Sequence, residues 1–143
     1  MRLFLDVFAG TGALSAEALS RGASCAFLLE REPNALRILR RNLETAGFAR
    51  DRWRVLPGDA LACLRRLRRQ GRTFDVIFLD PPYASGLGGK ALLGLASLLE
   101  PDGVAILEHE AKKSPPEVSD LRLVETRKFG DTAISFFQRR GGD

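Results

Sequence analysis

Residues 3–13 read LFLDVFAGTGA. Leu3 to Phe8 is a strand-type run, apolar except for Asp6, and it empties into a loop with glycines at positions 10 and 12. A helical segment follows, from about Leu14 to Arg21, and Gly22 supplies its stop. Strand, glycine loop and helix in that order open a doubly wound sheet. Ligands of such sheets bind beyond the carboxyl ends of the strands, where glycine lets the backbone come close and the helix N-terminus offers free N–H groups. A dinucleotide fingerprint requires Gly or Ala at position 15, and Ser15 stands there, so the NAD pattern is incomplete.

The rest of the chain repeats this alternation. Strands are predicted over Ala26–Glu30, Trp53–Leu56, Val76–Leu79 and Val104–Glu108, with helices from Pro33, over Ala60–Gln70 and over Ala91–Leu99. In the helix from Pro33, Leu36, Leu39 and Leu43 share one face, and Arg37, Arg40, Arg41 and Glu44 turn to water. Leu61, Leu64 and Leu67 do the same for the next helix. The segment EAKKSPPEVSD, with two prolines, allows at most a turn or two of helix. Leu121–Arg127 and Thr132–Phe137 read as a closing hairpin around KFGD. Strands separated by helices predict a parallel sheet covered on both faces, and the short final turn predicts an antiparallel last strand. At 143 residues, with no repeat or linker, residues 1–143 form one α/β domain with a seven-stranded, mostly parallel sheet.

Composition bounds the function. The net charge is +4, and 18 arginines stand against four lysines, which suits a polyanionic partner. Cys25 and Cys63 lie in apolar segments without metal-ligand spacing and read as buried thiols of a reducing cytosol. No metal site is expected. No apolar run approaches the ~20 residues of a membrane span.

Acids stand at successive strand ends: Asp6 on the first, Glu30 on the second, twenty residues past Gly10, and Asp59 after the third. An acid at Glu30's spacing can accept both hydroxyls of a ribose. A solvated strand end is the plain alternative for Glu30, and a helix N-cap for Asp59. Acceptors around a glycine loop disfavour polyphosphate and favour a cationic, hydroxyl-rich ligand, a description that S-adenosylmethionine fits. The fourth strand ends in FLDPPY, with Asp80, Pro81, Pro82 and the only tyrosine, Tyr83. Proline fixes its own φ and restricts the residue before it, so Asp80 and the Pro81 carbonyl form a preset pair of acceptors. Such a pair suits a planar amine whose lone pair must be aimed, and Tyr83 offers a face for base stacking.

The segments DVFAGTGALSAEALSRGA, LLERE, RNLETAG, GDA, FDVIFLDPPY and RKFGDT together resemble the bacterial 16S rRNA guanine-N2 methyltransferases of the RsmD type, over about Leu3 to Ile134. The resemblance implies a Rossmann-like class I methyltransferase fold using S-adenosyl-L-methionine. It implies that Asp6, Phe8, Ala9, Gly10 and Gly12 surround the methionine part, that Glu30 and Arg31 lie at the ribose, that Asp59 and Ala60 meet the adenine, and that Asp80 to Tyr83 form the catalytic mouth. The implied partner is rRNA in the small subunit or its precursor, in the cytoplasm. Family members usually carry an extra N-terminal segment, and since the first strand begins at Leu3, an upstream segment is expected to be needed for full activity. Two other readings use the same residues. One is transfer to adenine N6 or a glutamine amide, although only 60 residues follow Tyr83, too few for a target-recognition domain. The other is a non-catalytic cofactor- or RNA-binding module. His109 reads as a plain surface histidine. Arg65, Arg66, Arg68, Arg69 and Arg72 read as a solvated face or a phosphate-contacting patch. Arg127, Lys128 and Gly130 to Thr132 serve the hairpin or RNA.

Overall fold

The computed structural model describes residues 2–82 and 84–141. Its seven strands are β1 (Leu3–Val7), β2 (Cys25–Glu30), β3 (Trp53–Pro57), β4 (Phe74–Leu79), β5 (Leu99–Glu110), β6 (Leu121–Phe129) and β7 (Thr132–Arg139). They form one sheet in the order β3-β2-β1-β4-β5-β7-β6. The first five are mutually parallel, and β7 runs antiparallel to both β5 and β6. The single reversed strand is thus the last one, as the short FGDT turn requires.

The helices are α1 (Ala13–Ser20), α2 (Pro33–Thr45), α3 (Ala60–Arg69) and α4 (Leu87–Leu92). Their apolar stripes decide the faces they cover. Leu19 of α1 and Leu39 and Leu43 of α2 pack with Phe4, Leu28 and Trp53 on one side of the sheet. Cys63, Leu64 and Leu67 of α3 and Ala91 and Leu92 of α4 pack on the other, against Leu5, Phe27, Ile77 and Leu107. Each such leucine, fully withdrawn from water, contributes about 1.5–3 kcal/mol. Two acidic residues lie just past strands and cap the helices that follow. Glu32 accepts from the N–H groups of Asn34 and Ala35 ahead of α2, and Asp59 accepts from Ala62 at 3.0 Å ahead of α3.

Four expectations are corrected. The helix expected over Ala91–Leu99 is instead α4 followed by a 3₁₀ turn (Leu95–Leu98), and Leu99 already belongs to β5. Gly94 breaks it: its φ is +74°, and the Arg68 guanidinium occupies the space of a Cβ there, donating to the Gly94 carbonyl at 3.0 Å. β1 stops at Val7 because Phe8 turns into left-handed backbone, φ +66°. Cys63 is buried, but Cys25 is only half-buried. Arg68 and Arg72 are also not simply solvated, since Arg72 lies over the Phe27 ring at 5.1 Å. Arg65, Arg66 and Arg69 are exposed.

Candidate active site at the strand ends

The parallel register brings the acids together. Val7 pairs with Leu29 and Leu79, and Leu79 with Leu107. One further step therefore sets Glu30, Phe8, Asp80 and Glu108 side by side across β2, β1, β4 and β5. Asp6 lies on the face of β1 that carries Phe4, while Phe8, past the strand end, packs with Leu5 and Val7 on the other face.

Asp6 is buried, 2% exposed, and accepts from the Ser15 hydroxyl at 2.6 Å. Desolvation raises its pKa from the ordinary 3.8 to about 6; the Ser15 hydrogen bond opposes this, and the charges of Asp80 and Glu30 add to it. The three carboxylates are therefore close enough to repel, a strain that a bound cation would relieve. Glu30 clasps the glycine loop: one oxygen accepts from Gly10 N at 2.8 Å and the other from Glu32 N at 3.0 Å. Each oxygen retains a lone pair for a ligand.

The two glycines of the loop do different work. A Cβ on Gly10 (φ +58°) would meet nothing within 4 Å, so its outer surface is open. A Cβ on Gly12 (φ +79°) would press Leu39 and Leu28 at 3.4 and 3.5 Å. Gly12 thus packs on its Cβ side against Leu39 and Leu28, while Gly10, its N–H held by Glu30, is open on that side. Asp59 is exposed and already caps α3, with Arg31 at 3.8 Å across the mouth and Ala60 buried behind it. The loop's acceptors, with an open glycine between them, fit a ligand bearing positive charge and hydroxyl donors.

Asp80 separates this groove from a second space, a cleft of about 840 Å³ between the Asp80–Pro82 turn, α4 and the ends of β5 to β7. Asp80 is exposed at the mouth, and partial desolvation there raises its pKa. Gly88 of α4 lets the helix close on the turn, since a Cβ there would stand 3.3 Å from both Pro81 and Leu107. Ala84, φ +55°, is with Phe8 the second described non-glycine residue in left-handed backbone. Such residues cost on the order of 1–3 kcal/mol each and gather at functional turns. Tyr83 lies outside the described residues.

His109 is not a plain surface residue. It lines the cleft half-buried, with Nδ1 2.9 Å from the Glu110 carbonyl and Nε2 2.7 Å from the buried Ser135 hydroxyl, which also meets Thr126 at 2.8 Å. A carbonyl only accepts, so Nδ1 carries the proton and both ring nitrogens are engaged. The histidine pins β5 to β7 and is not free to act as a base. Glu108 in the cleft wall also escaped the sequence reading; a polar residue closing the fifth strand was its only signal. Among the described residues no group of three or more His, Cys, Asp or Glu is placed to hold a metal ion, and no helix is long and apolar enough to cross a membrane.

A parallel sheet with one reversed strand, an acid-lined glycine loop and an Asp-Pro-Pro turn after β4 define the Rossmann-like S-adenosylmethionine-dependent methyltransferase fold. SMU.776, solved in complex with SAH, has that fold over 96% of this chain and 45% of its own, at 14% identity and TM-score 0.76. The family described as "Conserved hypothetical protein 95" matches residues 1–138, and the chain belongs to it, the RsmD family. YlbH of Bacillus subtilis is 36% identical across 96% of this chain and 76% of its own length. Ribosomal RNA small subunit methyltransferase D of Haemophilus influenzae is 31% identical across 94% of this chain and 70% of its own. A conserved hypothetical protein of Streptococcus pyogenes superposes with TM-score 0.86 at 30% identity, over 97% of this chain and 86% of that one.

Proposed function

We propose that the chain transfers a methyl group from S-adenosylmethionine to the exocyclic N2 amine of a guanine in small-subunit rRNA, in the cytoplasm where that RNA is assembled. The observation that carries the reading is the position of Asp80, between the acid-lined glycine loop and the open cleft. Family membership and the relatives' rRNA methyltransferase name support the RNA substrate. Asp6, Phe8, Ala9 and Gly10 would hold the methionine part, with Gly12 shaping the loop from behind. Glu30 and Arg31 would lie at the ribose, and Asp59 and Ala60 at the adenine. Bound there, the cofactor supplies a methyl carbon made electrophilic by its sulfonium.

The chain's own part is aim and proton management. A guanine amine is a poor nucleophile because its lone pair is delocalised into the ring. The Asp80 carboxylate and the Pro81 carbonyl accept its two hydrogens and turn the lone pair toward the glycine loop. Their positions are fixed before substrate arrives, so little reorganisation is needed. The amine becomes acidic only as the methyl joins it. Asp80, whose pKa is raised, is then a competent acceptor for the departing proton. Tyr83 supplies a stacking face for a base that has left its helix, at a cost of a few kcal/mol.

Nucleoside mass mapping of small-subunit RNA tests the reading. RNA from cells lacking this gene is expected to miss N2-methylguanosine at one position, restored by the wild-type gene. Loss of N6-methyladenosine instead would favour transfer to adenine, and an unchanged methylation map would favour the non-catalytic module. Cofactor placement is tested separately. Glu30→Ala removes both the ribose acceptor and the clasp on Gly10, so its affinity for S-adenosylhomocysteine is expected to fall at least about tenfold, the worth of one charged hydrogen bond. Glu30→Gln, which keeps an acceptor, should lose less. Calorimetry giving wild-type affinity for Glu30→Ala would remove Glu30 from the site.

A further inference from the structure

Glu108 stands one register step from Asp80, and no fold contact explains it. Its neighbours on β5 are engaged: His109 with Ser135 and the Glu110 carbonyl, Glu110 with Lys113 at 3.1 Å. The Glu108 carboxylate has no hydrogen bond or ion pair among the described residues. It is half-buried and belongs to the wall of the 840 Å³ cleft. Burial first, and then the charge of Asp80, push its pKa up. An unpaired, partly desolvated carboxylate beside a reacting centre is costly unless a ligand supplies donors.

The chemistry of those donors can be specified. On the proposed reading of guanine N2 as the acceptor, on which this inference rests, the target base offers two adjacent donors, N1–H and N2–H. A carboxylate matches two parallel N–H groups with its two oxygens. Adenine sets its amine beside the N1 lone pair, and cytosine sets its amine beside the N3 lone pair. Against either, one carboxylate oxygen would face a lone pair. We infer that Glu108 selects guanine by accepting its N1–H and sharing with Asp80 the N2–H beside it, while the Pro81 carbonyl accepts the other N2–H. Lys112, Lys113 and Lys128 line the same cleft and are exposed, so acceptors lie beside the catalytic turn and cations at the rim, where RNA phosphates pass.

A site built to pair a substrate N–H rejects an analogue lacking it far more strongly than a shape-only pocket does. The test uses 2-aminopurine riboside, which keeps the N2 amine but carries a lone pair at N1. The wild-type protein first locates its target guanine by mass mapping. Small subunits are then reconstituted from ligated RNA bearing guanosine or 2-aminopurine at that position. Wild type should favour guanosine by about 10²–10³ in kcat/KM. In E108Q the amide can donate to N1 and accept from N2–H, so the preference should shrink at least about tenfold and the 2-aminopurine rate should rise. Affinity for S-adenosylhomocysteine should be unchanged in E108Q. An unaltered guanosine preference in folded, cofactor-binding E108Q overturns the inference and leaves the guanine reading standing. Should E108Q not fold, E108A carries the same test, because repulsion and pairing vanish together. A wild-type product other than N2-methylguanosine removes the guanine reading and this inference with it.

Discussion

Asp80→Ala is expected to slow methyl transfer by about 10²–10³ while leaving S-adenosylhomocysteine affinity close to wild type. Asp80 follows β4 directly, between groove and cleft, and its proposed task is to accept a hydrogen from the substrate amine before and during transfer. Removing that acceptor leaves the Pro81 carbonyl alone to aim the lone pair. The loss should appear in kcat as well as in kcat/KM, because the hydrogen bond strengthens as the amine gains positive charge. Asp80→Asn keeps a neutral acceptor in the same place and should retain more activity than alanine. It also removes the charge that acts on Asp6 and Glu108, so their carboxyls should titrate lower in that variant. Single-turnover rates with isotopic titration of both variants decide the matter. If turnover and cofactor affinity fall in parallel, Asp80 holds the cofactor rather than the amine.

How much of this was legible beforehand depends on the range over which each signal acts. The sheet was readable because strand and helix periodicity are local and the glycine loop follows its strand directly. Glu30 and Asp80 stand out because each closes an apolar run, and Asp6 because it interrupts one. Glu108 was not, since its importance comes from lying beside Asp80. That neighbourhood depends on the β4–β5 register, which shifts between Phe74 and Val76, and no sequence pattern marks the shift. In sequence Ser15 marks only an incomplete dinucleotide pattern, yet it donates the hydrogen bond that holds Asp6. The neighbours of Gly12 on its Cβ side, Leu28 and Leu39, come from two later elements, and no local pattern announces them. The break at Gly94 was hidden for the same reason. Arg68, twenty-six residues earlier, determines it. Contacts between elements, unlike signals within one, require the tertiary arrangement to be known.

Asp6→Asn should make the ligand-free protein more stable at pH 7.5 while weakening its hold on a cationic cofactor. In the native state the Asp6 carboxyl titrates near 6 rather than 3.8, chiefly because it is buried. Between those values the folded chain keeps a proton that the unfolded chain has lost. Its contribution to stability is therefore fully present below pH 3.8 and declines as pH rises through about 6. The full loss is on the order of 3 kcal/mol. Asparagine keeps an oxygen for the Ser15 hydroxyl and carries no charge to desolvate. Denaturant titrations should show Asp6→Asn gaining about 2–3 kcal/mol over wild type at pH 7.5 and nothing near pH 4. The ionised form that destabilises the fold is the one a cation would bind, with Asp80 and Glu30 adding to the field. Wild-type affinity for S-adenosylmethionine should accordingly fall as pH drops below about 6, and that slope should be absent in Asp6→Asn. Stability curves that stay parallel from pH 4 to 7.5 would mean that Asp6 is not a strained, cation-seeking carboxylate.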